Sequence, residues 1–403
     1  MMSASTNLLK EQILGLSNLY SPEVIRLRRH IHQYPELSFQ EKATSRLVED
    51  TLRGYGIEVK TGVAGTGLIG YIYGQEPQCK TIALRADMDA LPIQEENEVD
   101  YRSVNLGVMH ACGHDVHTAS LLGVARILQE TRHLWKGTVK CLFQPGEELL
   151  PGGASWMIRD GALEDPAPAC IFGQHVAPDL EVGKVGFCSG IYMASSDELY
   201  LTIRGKGGHG ALPHLSVDPI VVSAQIITAL QQIVSRASHP AMPTVLTLGK
   251  INSVGGATNV IPEEVRIEGT FRTFDEEWRA KAKAQMQQMA IGMAEALGAT
   301  CEFNIVKGYP VLKNEEAMTL RAKAAAIDLL GADQVVDLPI RMTSEDFAWY
   351  TQELPGCFYR LGTRNETQQI TSGVHTSTFN IDESALELGI SLMSWLAVRE
   401  LLF

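Results

Sequence analysis

Cys112 and His114 lie two residues apart in the run His110-Ala111-Cys112-Gly113-His114-Asp115-Val116-His117, and the adjacent acids Glu147 and Glu148 follow after one expected helix and one expected strand. Thiolate, imidazole and carboxylate are the side chains that bind first-row transition metals, and a free carboxylate beside them is the base that a metal-activated water requires. These types at this spacing point to metal-dependent hydrolysis.

Cys112 and His114 stand where a helix should begin, so both side chains can approach one point and the helix N-terminus should favour the thiolate. A structural zinc site would need further Cys/His pairs at finger-like spacing, and the chain has none. An inert buried cysteine beside a helix-capping histidine is the other reading of this pair alone. His110 and His117 fit supporting or capping roles better than ligation. Gln144-Pro145-Gly146 stops the preceding strand, so Glu147 and Glu148 emerge on a loop with their side chains pointing different ways. One could ligate while the other takes a proton, although two adjacent acids by themselves also describe a solvated loop.

Asp87 and Asp89 are alternate residues at a strand end and share a face. Either suits a carboxylate that orients a ligating imidazole, or a turn cap. His175 closes another apolar run. His209 lies in the glycine-rich run GKGGHGALPH, where backbone can approach a ligand closely; Asn259 lies in a second loop, and Arg272 in an expected strand where it could grip a carboxylate bidentately. Singly, each is also an ordinary loop or sheet residue. Together on one insert they suit a substrate-clamping lid.

The elements that must carry these residues are legible as patterns. From about 81 to 175, short apolar runs (TIALRA, TVKCLF, ACIFG) alternate with helical stretches, which implies a largely parallel sheet covered by helices, with ligands beyond the carboxyl ends of its strands. Asp87, Asp89, Glu147, Glu148 and His175 all fall at such ends. From about 188 to 304 the order becomes βαββαβ, that of a ferredoxin-like α+β domain. A helix at 315 to 330, the strand CFYRLG and a terminal helix at 382 to 402 then resume the earlier style. The expected architecture is one α/β domain (1–187 and 305–403) interrupted by an inserted α+β lid or dimerisation domain (188–304).

Composition narrows the function classes. With 403 residues the chain can bury a sizeable core in two domains. Its net charge of -13 and the absence of a basic run argue against nucleic-acid binding. No run reaches the roughly 18 apolar residues of a membrane span. Seven scattered cysteines without a CxxC pair fit a reducing, cytoplasmic setting better than a disulfide framework. The opening MMSASTNLLKEQILGLSNLY reads as an amphipathic helix, not a signal peptide.

Ten ordered motifs, among them RRHIHQYPELSFQE, LRADMDALPIQE, MHACGHDVHTASLLG, FQPGEE, GKGGHGALPH, NVIPEEVRIEGTFRTF, TSEDFAWY and VHTSTFNIDESAL, give the chain a nearly end-to-end resemblance to the dinuclear-metal N-acyl-amino-acid amidohydrolases. These include aminoacylases, hippurate hydrolase and auxin-conjugate hydrolases, within the aminoacylase and carboxypeptidase G metallopeptidase superfamily. The resemblance implies a zinc-exopeptidase-like catalytic domain and two divalent ions (Zn, Mn, Co or Ni). Cys112 would bridge them, His114 and His175 completing one sphere and Glu148 and His375 the other. It implies Glu147 as general base and then proton donor and a small N-acyl-amino-acid substrate, and Asp89, suited to orienting an imidazole, joins the catalytic candidates. It also implies a homodimer or higher homo-oligomer, in which His209 polarises the scissile carbonyl from the partner subunit while Asn259 and Arg272 bind the substrate carboxylate. Gly146, Thr378 and Asn380 depart from the commoner Ala, Pro and Asp. A dipeptidase or exopeptidase with the same metals, a cysteine hydrolase with Cys112 as nucleophile, and a non-catalytic binding protein are the competing readings.

Overall fold

The computed structural model describes residues 4–403, and the chain divides into two compact units. The first comprises Met1–Tyr192, Lys313–Ile340 and Asp346–Phe403, its first three residues lying outside the described range. It opens with helices α1 (Ala4–Gln33) and α2 (Lys42–Gly54), strands β1 (Glu58–Val63), β2 (Gly67–Tyr73) and β3 (Thr81–Asp87), and helix α3 (His114–Thr131). Strand β4 (Thr138–Gln144), helix α4 (Gly153–Arg159) and strands β5 (Ile171–Glu181) and β6 (Val185–Phe187) follow. Its eight-stranded sheet runs β1-β2-β4-β3-β5, then the strand Gly356–Arg364, β6 and Val335–Asp337.

The four central strands, β4, β3, β5 and Gly356–Arg364, are mutually parallel, while the β1–β2 hairpin adds antiparallel strands at one edge. Every residue of β3 and β4 is buried, as expected of strands covered on both faces. On one face α1, α3 and the C-terminal helix Ala385–Leu401 pack together closely: a Cβ on Gly123 would come within 2.7 Å of Val24 and 2.9 Å of Ile390. The expected parallel α/β architecture is the observed one. The structure corrects the position of His175, which lies within β5. That strand runs on to Glu181 because residues 171 to 177 pair in register with 356 to 362.

The second unit comprises Met193–Leu312 and takes in Arg341–Glu345 as well. It therefore starts and ends a few residues beyond the expected 188 and 304. Its antiparallel sheet runs Thr244–Val254, Glu264–Thr273, Asp197–Arg204, Thr300–Lys307, the ferredoxin-like order. Alternate residues of Asp197–Arg204 are buried, and Leu199, Leu201 and Ile203 join a core with Val222, Ile226, Leu230, Met286 and Ala290. The helices Pro219–Gln232 and Glu276–Ala296 start at aspartate caps: Asp218 accepts the Ile220 amide and Asp275 the Trp278 amide. Contrary to the expectation that no segment would qualify, Pro219–Ala237 is long and apolar enough to cross a membrane. It is an amphipathic cover for its own sheet, burying Val222, Ile226, Leu230 and Ile233.

Candidate metal centre

In the first unit, the loop after β4, the entry to α3, the middle of β5 and the segment around His375 bring six candidate residues together, with Asp89 from just beyond β3 beside them. Cys112, His114 and His175 offer one donor atom each within 4.8 Å of one another, as do Cys112, Glu148 and His375. A third group, His114, Glu147 and Glu148, meets the same limit. Cys112 is thus common to two three-residue donor sets.

The ring orientations suit ligation. His175 Nδ1 lies 2.8 Å from the Val176 carbonyl, to which it can only donate, and this leaves the Nε2 lone pair facing Cys112 Sγ at 3.5 Å. His114 Nδ1 meets Asp89 Oδ1 at 3.2 Å, while its Nε2 is buried with no hydrogen-bond partner, 3.6 Å from Asp87 Oδ2. A buried imidazole nitrogen without a partner carries a desolvation cost that a cation would offset. His375 Nε2 approaches Glu148 Oε1 at 3.1 Å as an ion pair whose angle falls outside hydrogen-bond geometry. His375 has a left-handed backbone (φ 61), and its amide is held by the Ala111 carbonyl at 2.7 Å. It is half exposed, so the centre opens to solvent at this side. The thiol, imidazole and carboxylate donors present fit divalent cations, and Cys112 belongs to two of the donor sets.

The anionic donors draw protons onto two of the imidazoles, which a bound cation would displace. Contacts with Cys112 and Glu148 raise the His375 pKa to about 10. Burial opposes charge on His114, but Asp87 and Cys112 outweigh it and raise its pKa. Burial, then Arg360, pushes His175 down and keeps that ring neutral. The expected thiolate-favouring helix terminus is corrected: α3 begins after Cys112, and burial followed by the Glu148 charge raises its thiol pKa. A cation would reverse that bias by its own charge.

Asp89 does more than hold His114. Its Oδ1 also accepts the Glu147 amide at 3.0 Å, and its Oδ2 accepts the Glu148 amide at 2.9 Å and the Ser38 hydroxyl at 2.6 Å. Glu147 itself is buried, and its Oε1 accepts the Asp346 amide at 3.4 Å. Asp346 is in turn fixed by Arg85 (2.6 Å), Gln144 and the Ala154 amide. Asp87 pairs with Arg85 and His117 instead of with a ligand imidazole at bonding distance. His117 Nε2 accepts the Val176 amide, so both its nitrogens are used, and burial lowers its pKa. His110 has neither nitrogen partnered, and burial lowers its pKa to about 3. His110 joins no candidate donor set, whereas His117 forms one with Asp87 and His114, its two nitrogens already engaged by Asp87 and the Val176 amide.

The remaining candidates belong to the second unit. His209 and Asn259 are neighbours there: Val260 pairs with His209, and the Gly210 amide donates to the Asn259 carbonyl at 2.7 Å. Both side chains are exposed. Arg272, on Glu264–Thr273, donates to the Met342 carbonyl at 3.1 Å and the Ser344 hydroxyl at 3.3 Å. It has no acidic partner among the described residues, and burial lowers its pKa.

Arg85, Asp346, Ser38 and Glu41 also support the centre and do not stand out in the sequence as site residues. All four lie inside or beside the quoted motifs RRHIHQYPELSFQE, LRADMDALPIQE and TSEDFAWY. A charged residue within an apolar strand (Arg85) and acids flanking the motif cores were the available signals.

The profile described as peptidase family M20/M25/M40 matches residues 83–399. An N-acyl-L-amino acid amidohydrolase of Geobacillus stearothermophilus is 45% identical over 76% of this chain and 82% of its own. Thermostable carboxypeptidase 2 of Saccharolobus solfataricus is 40% identical over 93% of this chain and 95% of its own. Among solved structures, the YXEP protein of Bacillus subtilis, described as a dinuclear metal binding peptidase, superposes with a TM-score of 0.82 at 37% identity, covering 95% of this chain and 99% of that one.

Proposed function

The chain belongs to peptidase family M20/M25/M40, and on that footing we propose that it hydrolyses the amide bond of N-acyl-amino acids to a carboxylate and a free amino acid. The observation that carries this reading is the sharing of Cys112 between the donor sets Cys112/His114/His175 and Cys112/Glu148/His375. Divalent cations held there (Zn, Mn, Co or Ni) would polarise the amide carbonyl and acidify water near neutral pH.

Glu147 is the base in this proposal. It takes a proton from the attacking water as the new C–O bond forms, then delivers it to the nitrogen as the C–N bond breaks. Its place beside the donor sets and its link to the anchored Asp346 amide support that role. Asp89 orients His114 and holds the amides of Glu147 and Glu148. In the second unit, Arg272, a cation paired only with neutral oxygens, suits a substrate carboxylate. Asn259 is assigned to the same carboxylate and His209 to the developing oxyanion. The partly exposed edge strand Thr244–Val254, with Ile251 and Val254 outward, and Ile220 and Val221 on the neighbouring helix suit a homodimer interface. A cytoplasmic location would keep the Cys112 thiol reduced.

An exopeptidase reading is favoured by the similarity to the carboxypeptidase. A panel of N-acetyl, N-benzoyl and indoleacetyl amino acids and dipeptides, run on chelator-treated protein reloaded with each metal, separates the two. N-acyl-amino acids turned over only after reloading support the proposal. Turnover confined to dipeptides favours the exopeptidase, activity indifferent to chelator revives the cysteine hydrolase, and inactivity with every metal overturns all three.

A further inference from the structure

Glu41 occupies the N-cap of α2 yet does not cap it. Glu36 serves that end instead, its Oε1 accepting the Ala43 amide at 3.1 Å and its Oε2 the Thr44 amide at 2.8 Å and the Thr44 hydroxyl at 3.0 Å. The Glu41 carboxylate turns inward and is fully buried. Its Oε1 accepts the amides of Phe39 (2.8 Å) and Gly146 (2.9 Å), and its Oε2 accepts the Thr66 hydroxyl at 2.6 Å.

The amides of Gly146, Glu147 and Glu148 therefore end on two buried carboxylates, Glu41 for the first and Asp89 for the next two. The segment before α2 is divided in the same way, with the Ser38 hydroxyl on Asp89 and the Phe39 amide on Glu41. Gly146 is itself buried and left-handed (φ 61), and the Phe39 ring fills the space beside it, 2.4 Å from where a Cβ would stand. The turn that delivers Glu147 is thus gripped at its amide by Glu41 and at its α-carbon by Phe39. Burial beside Asp89 pushes the Glu41 pKa up to about 7, a cost that an apolar residue at an N-cap already served by Glu36 would avoid.

We propose that Glu41 is a positioning residue for Glu147, fixing the loop after β4 through the amide of Gly146. The inference rests on the amidohydrolase reading. Without Glu41 the Gly146 amide loses its acceptor in a buried site, so the turn must shift to find another. A displacement of about an ångström at a catalytic group lowers turnover by up to about a hundredfold.

The test uses the full-length chain with Glu41→Ala, Glu41→Asp and Glu41→Gln. Hydrogen–deuterium exchange over residues 144–149 is measured on chelator-treated protein; bound metal, kcat and KM are measured on metal-loaded protein. Glu41→Ala should exchange faster across this segment and lose about 10- to 100-fold in kcat, with bound metal unchanged and KM within about twofold. Glu41→Asp, too short to reach Gly146, should behave alike. Glu41→Gln, which keeps an oxygen for both amides, should recover most of the protection and turnover. Wild-type exchange and kcat in a folded Ala or Asp variant would overturn the proposal. So would a kcat loss that tracks lost metal or lost folded protein, or a Gln variant as impaired as Ala. An inactive wild-type chain would instead overturn the amidohydrolase reading, and the exchange data would still decide the role of Glu41.

Discussion

Asp89 Oδ1 lies 3.2 Å from His114 Nδ1, so the imidazole of a candidate ligand is held by the same carboxylate that accepts the amides of Glu147 and Glu148. One buried side chain thereby couples the donor set to the loop that carries Glu147 and Glu148. Asn at this position keeps the shape but presents a donor where two of these contacts need an acceptor. Asp89→Asn should weaken metal binding about 10- to 100-fold, measured by competition with a calibrated chelator. Unchanged affinity would remove Asp89 from the centre.

Gly146→Ala, a change of one methyl group, should be harmful in this chain. Gly146 sits at φ 61, and its missing Cβ would stand 2.4 Å from the Phe39 ring. Left-handed strain and overpacking together should cost about 1–3 kcal/mol in urea unfolding. Phe39→Leu in the same chain should recover part of that loss, giving a measurable coupling in a double-mutant cycle. Strict additivity would contradict the packing argument.

Lys140 gives a pH dependence remote from the metal centre. It is buried in β4, donating to the carbonyls of Glu164 and Pro166, and burial followed by the Lys60 charge lowers its pKa to about 8. Between pH 8 and the usual lysine value the unfolded chain still holds this proton and the folded chain has lost it, so stability rises with pH. Below pH 8 both states are protonated and the full penalty remains. From pH 8 to 9.5 the wild type should therefore gain roughly 1.5 kcal/mol relative to Lys140→Met. A constant difference between the two proteins would show that Lys140 titrates normally.

The sequence made some of this visible and hid the rest for physical reasons. Strands β3 and β4 were readable because strands buried on both faces are continuous apolar runs. The β1–β2 hairpin was not, since β1 is an edge strand with a mostly exposed, polar sequence. Cys112, His114, Glu147 and Glu148 announced themselves through side-chain type and local spacing. His175 was found, but its place inside β5 depends on pairing with a strand far along the chain. The partners of the supports were hidden: Arg85 meets Asp346 across 261 residues, and Glu41 meets Gly146 across 105. No local pattern encodes such contacts. The family resemblance supplied His375, whose half-exposed loop carries no periodicity.

The central claim is that Glu147 moves the proton while Cys112, His114, Glu148, His175 and His375 hold the metals. Glu147→Gln keeps the volume and hydrogen-bonding reach of the side chain and removes its basicity. The decisive measurement is kcat on an N-acyl-amino acid alongside bound metal per chain. In Glu147→Gln, kcat should fall about 10²- to 10⁴-fold with bound metal unchanged. Wild-type turnover in a fully metal-loaded Glu147→Gln protein would contradict that claim.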